Sequence, residues 1–185
     1  VVVTGALGHI GSRLIRWLPE VQNDLEIIMI DNLSTQRYPS LFDLPQSAHY
    51  SFVEADAAQD DISSSIKGAD LVVQLAAMTD AAGSFERAKE LEENNFNTTR
   101  RVADICGELG VRLIVPSSTS VYGTQKDVVD EECSPDDLQP QSPYAETKLR
   151  EEELIAEMST KGLKAVTIRF GKIFGISPGM RFHTA

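Results

Sequence analysis

The chain has 185 residues, 42% of them hydrophobic, which is enough for one well-buried domain. Its formal net charge of -11 argues against nucleic acid and against an anionic membrane face, so an anionic substrate would need a locally basic pocket. Two cysteines, Cys106 and Cys133, are too few for a disulfide framework and suit a reducing cytoplasm, and no apolar run approaches the ~20 residues of a membrane helix.

Short apolar runs alternate with amphipathic stretches. Val1 to Val3 reads as a buried strand, followed by a glycine-rich turn and a helix through Leu14 to Leu18. Glu26 to Ile30 is a second strand, ended by Asp31-Asn32, and a polar loop with proline runs from Ser34 to Ser47. Tyr50 to Val53 and Leu71 to Leu75 are the third and fourth strands. A long helical stretch follows from Ser84 to Leu109, either continuous or broken near Asn94. Arg112 to Val115 is a fifth strand, Pro143 to Lys161 a helix with many charges on its outer face, and Ala165 to Phe170 a sixth strand. Strands this apolar are expected to be buried on both faces, and their alternation with helices implies a doubly wound α/β domain with a parallel sheet and helices on both faces. The chain opens inside a strand without an initiator Met and stops at Ala185 without a closing helix, so it reads as a segment of a longer protein.

The first strand runs into Thr4-Gly5-Ala6-Leu7-Gly8-His9-Ile10-Gly11. Gly5 suits a tight turn with positive φ, Gly8 lets backbone approach a pyrophosphate, and Gly11 lets the helix pack close to the sheet. Exposed N–H groups and the helix dipole would then hold phosphates. Glycine triplets are common in loops, but one that follows a strand and opens a helix is the context that gives it meaning. Asp31 lies 20 residues after Gly11, at the end of the second strand. A carboxylate there accepts hydrogen bonds from adenosine ribose hydroxyls and repels the extra phosphate of NADP, which favours NAD. Arg37 complicates that choice, since it could pair with a phosphate.

Tyr144 and Lys148 stand at i and i+4, on one face of a helix. A tyrosine ordinarily ionises near pH 10, and a neighbouring ammonium favours the phenolate, so such a tyrosine can take a proton from a substrate hydroxyl. Alone the spacing is common on helix surfaces. Here it follows Ser117-Ser118-Thr119-Ser120-Val121-Tyr122-Gly123, a hydroxyl cluster at the carboxyl end of the fifth strand, where ligands bind in open α/β sheets. A hydroxyl there can steady charge on a reacting oxygen, and the bland alternative is a Ser/Thr turn.

Together the glycine loop, Asp31-Asn32-Leu33-Ser34, the Ser118 to Gly123 segment, Ser142-Pro143-Tyr144 and Lys148 resemble the extended short-chain dehydrogenases, which include NAD-dependent nucleotide-sugar epimerases and dehydratases. The resemblance runs from Val1 to about Gly175. It implies a Rossmann-type cofactor domain over residues 1–175, with 176–185 the start of a substrate-binding region. It also implies that Tyr144 is the catalytic acid and base, that Lys148 is its partner and holds the nicotinamide ribose, and that Ser118 is the catalytic hydroxyl. Gly5, Leu7, Gly8, His9, Ile10, Gly11, Asp31, Asn32, Asp56, Ala57, Leu75, Ala76, Ala77 and Asn95 would line NAD. Ser118, Thr119, Ser120, Lys172 and Arg181 would face the nucleotide sugar, although Lys172 and Arg181 are equally well read as surface residues. The same resemblance implies a homodimer that pairs through the Ser84–Leu109 and Pro143–Lys161 helices, and the cysteine usage places it in the cytoplasm.

Departures narrow the chemistry. Gln74 stands where many members carry His, Thr98 where many carry Gly, and Lys172 where Asn is common. Family dehydratases follow the Ser/Thr with acidic residues, and related decarboxylases carry Glu at the position of Ser120. Thr119 and Ser120 do not titrate usefully, so transient oxidation to a keto-sugar, with hydride returned to its other face, is the expectation. A dehydrogenase with net NAD turnover and a non-catalytic NAD-binding protein are the alternatives. His9 lies inside the glycine loop, where contact with phosphate or solvent is the expectation. The acidic run Asp127 to Asp137 contains Pro135 and lacks metal-ligand spacing, so it reads as a solvated loop and no metal site is expected.

Overall fold

The computed structural model describes residues 1–78, 85–123, 129–131 and 133–180. Six strands form one parallel sheet: β1 (Val2–Thr4), β2 (Leu25–Asp31), β3 (Ala48–Glu54), β4 (Leu71–Gln74), β5 (Arg112–Ser118) and β6 (Ala165–Phe170). Their spatial order is β3-β2-β1-β4-β5-β6, so the direction of travel reverses between β1 and β4. Val3 sits centrally, in register with Met29 of β2 and Val73 of β4. Among the described residues four α-helices lie between the strands: α1 (His9–Val21), α2 (Ser63–Ile66), α3 (Phe85–Leu109) and α4 (Pro143–Thr160).

Successive residues of β1 serve opposite faces, as pleating requires. Val2 packs with Ile30, Val72, Leu113, Val102 and Cys106 of α3, and Ile155 of α4. Val3 packs on the other side with Ile27, Met29, Val73 and Ile15 of α1. Cys106 is fully buried in the first layer, and burial pushes its thiol up to about 12, so it is packing and not a nucleophile.

The doubly wound sheet matches the sequence reading, with one correction. Burial on both faces holds for β1 but not for the edges: β3 and β6 alternate between partly buried and exposed positions, and Val166 and Ile168 of β6 are exposed. An edge strand has one neighbour instead of two and less helix above it, which is why its outer residues stay wet. Of the two readings near Asn94 the continuous one holds, because α3 runs unbroken from Phe85 to Leu109. Asparagine is a poor helix former, but here Asn95 is drawn inward by tertiary hydrogen bonds that override local propensity. Smaller shifts move strand ends, with β5 reaching Ser118 instead of stopping at Val115. Within the acidic run, Pro135–Asp137 forms a 3₁₀ turn in which the Ser134 hydroxyl donates to Asp137 at 3.1 Å.

Candidate active site

β1 is followed by Gly5, whose φ of 62° lies in the left-handed region. A Cβ on Gly5 would meet the Leu75 carbonyl carbon at 2.6 Å, and one on Gly11 would meet the Gly5 carbonyl oxygen at 2.5 Å. Only bare backbone therefore lets the loop cross the end of β4 and lets α1 start against it. Gly8 is the N-cap of α1, with no side-chain cap and no acidic residue in the first turn. The first-turn N–H groups thus keep their positive end for an anion from elsewhere. Gly8, His9, Ile10 and Gly11 all line the adjoining cavity.

Asp31 closes this loop from β2. Its carboxylate accepts from the Leu7 N–H and the Leu33 N–H, both at 3.0 Å. Leu7 itself is 1% exposed and lines neither cavity, so its part is to anchor Asp31 through its backbone. Asp31→Ala is therefore expected to cost about 1–3 kcal/mol of stability through the amides left unpaired, beyond any loss of ligand affinity. A urea unfolding curve matching wild type would contradict this anchoring role.

Two cavities meet along Gly5, Gly8, Arg37, Leu75, Ala77 and Met78. The first, about 440 Å³, is lined by Asp31, Asn32, Ser34, Asp56, Ala57 and Ala76 among others. The second, about 610 Å³, reaches over β5 to Ser117, Ser118, Tyr144 and Lys148. The connection after β4 forms their common wall and is held from below. Gln74 receives the Thr4 hydroxyl and donates from Nε2 to the Ala76 carbonyl at 2.9 Å. Asn95 of α3 clamps Met78 on both sides, accepting from its N–H at 2.8 Å and donating to its carbonyl at 2.9 Å. Asn95 thus lines the second cavity while its amide serves the wall.

Ser142 caps α4 by accepting from the Ala145 N–H at 3.1 Å, and Pro143 takes the first helical position where no N–H is needed. That start places Tyr144 at the cavity mouth, 43% exposed, with Lys148 one turn deeper and 8% exposed. The Lys148 Nζ lies 6.0 Å from the Tyr144 ring centroid and 2.9 Å from Glu151 Oε2. Ser118 caps the 3₁₀ turn Thr119–Tyr122, accepting from the Ser120 N–H at 3.2 Å and the Ser120 hydroxyl at 2.9 Å. A hydroxyl that accepts twice still has its own O–H to donate. Arg169 of β6 fastens this turn to α4, donating to Glu152 at 2.9 and 2.6 Å and to the Tyr122 hydroxyl at 2.9 Å. The paired Glu152 holds the Arg169 guanidinium well above its ordinary value.

The structure thus gathers the expected Ser118, Tyr144 and Lys148 around one cavity with the glycine loop. Thr119, Ser120 and Lys172 are exposed and outside both linings, although Gly171 and Ile173 on either side of Lys172 line the second cavity and the Ser120 hydroxyl lies 2.9 Å from Ser118. Arg181 lies outside the described residues. His9 meets neither bare solvent nor an anion alone: its Nδ1 lies 3.0 Å from the Ser177 hydroxyl. Gly179 donates to the Ser12 hydroxyl at 2.9 Å and abuts the Leu7 and Gly8 carbonyls, so residues 177–179 brace the glycine loop from behind. Glu92 and Glu151 were not singled out from sequence, although Glu151 stands three residues after Lys148 and so shares its helix face.

The model of the NAD dependent epimerase/dehydratase family matches residues 1–185. An uncharacterised UDP-glucose epimerase of Bacillus subtilis is 30% identical over 99% of this chain and 60% of its own length. A trifunctional UDP-glucose 4,6-dehydratase/3,5-epimerase/reductase of Arabidopsis thaliana is 30% identical over 95% of this chain and 27% of its own. Among solved structures, UDP-glucuronic acid 4-epimerase from Bacillus cereus, in complex with NAD, superposes with a TM-score of 0.79 at 27% identity, covering 98% of this chain and 60% of that one. UDP-N-acetylglucosamine 4-epimerase from Methanobrevibacter ruminantium superposes with a TM-score of 0.78 at 29% identity, covering 91% and 53%. The chain spans at most three fifths of these relatives' lengths. With its sheet order, glycine loop and tyrosine–lysine helix, it belongs to the NAD-dependent epimerase/dehydratase family.

Proposed function

We propose that this chain is the cofactor-binding and catalytic part of an NAD-dependent epimerase acting on a nucleotide sugar, with residues 1–175 carrying both duties and 176–185 opening the substrate-binding region. The observation that carries this reading is the single cavity lined by the glycine loop, Ser118, Tyr144 and Lys148. The residues fit a dinucleotide. An uncapped helix N-terminus suits its diphosphate, and Gly5 and Gly8 present bare backbone to both cavities. Asp31 lines the other cavity with lone pairs to spare for ribose hydroxyls, and its charge favours NAD over NADP. Arg37, which lines both cavities, would neutralise the diphosphate.

Bound NAD supplies a hydride acceptor and donor. The chain's own residues handle the proton. Tyr144 takes it from the sugar hydroxyl and later returns it, Lys148 favours the phenolate meanwhile, and Ser118 donates to the same oxygen. Dehydration would need a further acid and base. Thr119 and Ser120 are neither titratable in the useful range nor in the cavity, which weighs against it.

The test is product analysis after incubating the full-length protein with NAD and a panel of UDP- and dTDP-hexoses. The expected product has unchanged mass and a new retention time, with no accumulation of NADH. A product lighter by water would overturn the epimerase reading in favour of a dehydratase. A two-hydrogen change with matching NADH would overturn it in favour of a dehydrogenase.

A further inference from the structure

Lys148 is not alone behind Tyr144. Its Nζ makes a 2.9 Å ion pair with Glu151 Oε2, the two side chains being 10% and 2% exposed. Glu151 as a residue is 1% exposed, Thr99 of α3 lies beside its carboxyl, and its second oxygen, Oε1, is buried with no hydrogen bond within ordinary geometry. From α3 a second carboxyl, Glu92, faces the same ammonium, and its Oε2 is likewise buried and unpartnered. Burial pushes both carboxyls up; Lys148 opposes this in each, and Glu92 adds to it in Glu151. Two carboxyls and one ammonium packed between two helices is an expensive arrangement if its only purpose is stability. Arg169 cannot relieve it, being committed to Glu152 on the next position of the helix. Among the described residues, the remaining charged or titratable groups lining the cavity are His9 of α1 and Arg37 of the β2–β3 connection.

We propose that Glu151 is a positioning residue that holds the Lys148 ammonium and offsets its charge, with Glu92 as a weaker second carboxylate, so that the pair sets how readily Tyr144 ionises. This rests on the reading of Tyr144 and Lys148 as acid–base partners. It also gives that reading a purpose. A tyrosine that must both take a proton and give it back works best when it is not ionised too easily. An unopposed lysine would hold the phenolate too firmly, and a carboxylate behind the lysine tempers it.

The experiment is an ultraviolet titration of tyrosinate in the full-length protein. The chain has four tyrosines, so subtracting the curve of Tyr144→Phe isolates the Tyr144 transition. Glu151→Gln is expected to move its midpoint to lower pH by about one unit, since removing a like charge favours the phenolate. Glu92→Gln is expected to move it the same way by less. Should Glu151→Gln fail to fold, Glu92→Gln alone reads the effect from a side chain at the cavity wall. A midpoint unmoved or raised in whichever of these variants folds overturns the role given to the carboxylates. Lys148→Met separates the two layers of the argument. A midpoint raised by Lys148→Met but unmoved by Glu151→Gln leaves the acid–base pair standing and removes Glu151 from it. A midpoint unmoved by Lys148→Met overturns the pair itself, and the role of Glu151 with it.

Discussion

Replacing Tyr144 with Phe is expected to lower turnover of the nucleotide-sugar substrate by about 10²–10⁴-fold, the range that a positioned acid–base group contributes. The substitution removes one oxygen and little else. Tyr144 follows the α4 cap, which Ser142 and Pro143 make without it, and the ring is 43% exposed. The helix should therefore keep its start, and the fold its stability to within about 0.5 kcal/mol. NAD affinity should stay within a few-fold of wild type, because the glycine loop and Asp31 are untouched. Initial rates by chromatography, paired with a calorimetric NAD titration, separate the outcomes. A rate within about tenfold of wild type would falsify the assignment of Tyr144 as the proton carrier. A joint fall in rate and NAD binding would point to a lost cofactor site instead.

Gly5→Ala is expected to damage the fold. Two independent costs meet at this residue. A left-handed φ of 62° strains any L side chain by about 1–2 kcal/mol. The new Cβ would also stand 2.6 Å from the Leu75 carbonyl carbon and 2.7 Å from the Ala76 nitrogen, both backbone atoms with no rotamer to change. Relief requires β1 and β4 to part, or the wall of the cavity to move. Overpacking of this kind adds about 1–3 kcal/mol, and the sum is a large share of a domain's typical stability. A lower melting temperature and loss of NAD binding should therefore appear together. Gly110→Ala supplies the control. Gly110 has a φ of 69° at the end of α3, but a Cβ there meets nothing within 4 Å. It should show the strain alone. If the two variants melt together, the close approach at Leu75 carries no cost.

The glycine loop was readable because backbone geometry at Gly5 and Gly11 admits no side chain, and the i, i+4 spacing of Tyr144 and Lys148 puts them on one helix face. Properties that depend on partners distant in sequence were harder to see. Asn94-Asn95 looked like a weak point in a helix because local propensity is all that a linear reading can weigh. The amide of Asn95 instead ties α3 to Met78. Glu151 looked like one more charge on a solvated helix face, and only packing against α3 reveals that it is buried. The hydroxyls of Thr119 and Ser120 follow Ser118 directly, and that of Ser120 stays 2.9 Å from it, yet neither residue lines the cavity.

The strand order has a consequence for how the chain matures. Of the six strands of this sheet β1 is made first, yet it ends up in the middle, and its second neighbour is β4. Val2 and Val3 are fully buried only once Val72 and Val73 have arrived. At about 5–20 residues per second, a ribosome needs several seconds to reach that point. Through that interval β1 can pair with β2 while its other edge stays open, a tacky apolar ribbon with nothing yet to satisfy it. Birth order and position are therefore inverted in this sheet: the segment that nascent-chain chaperones would have to shield longest is the one that finishes deepest.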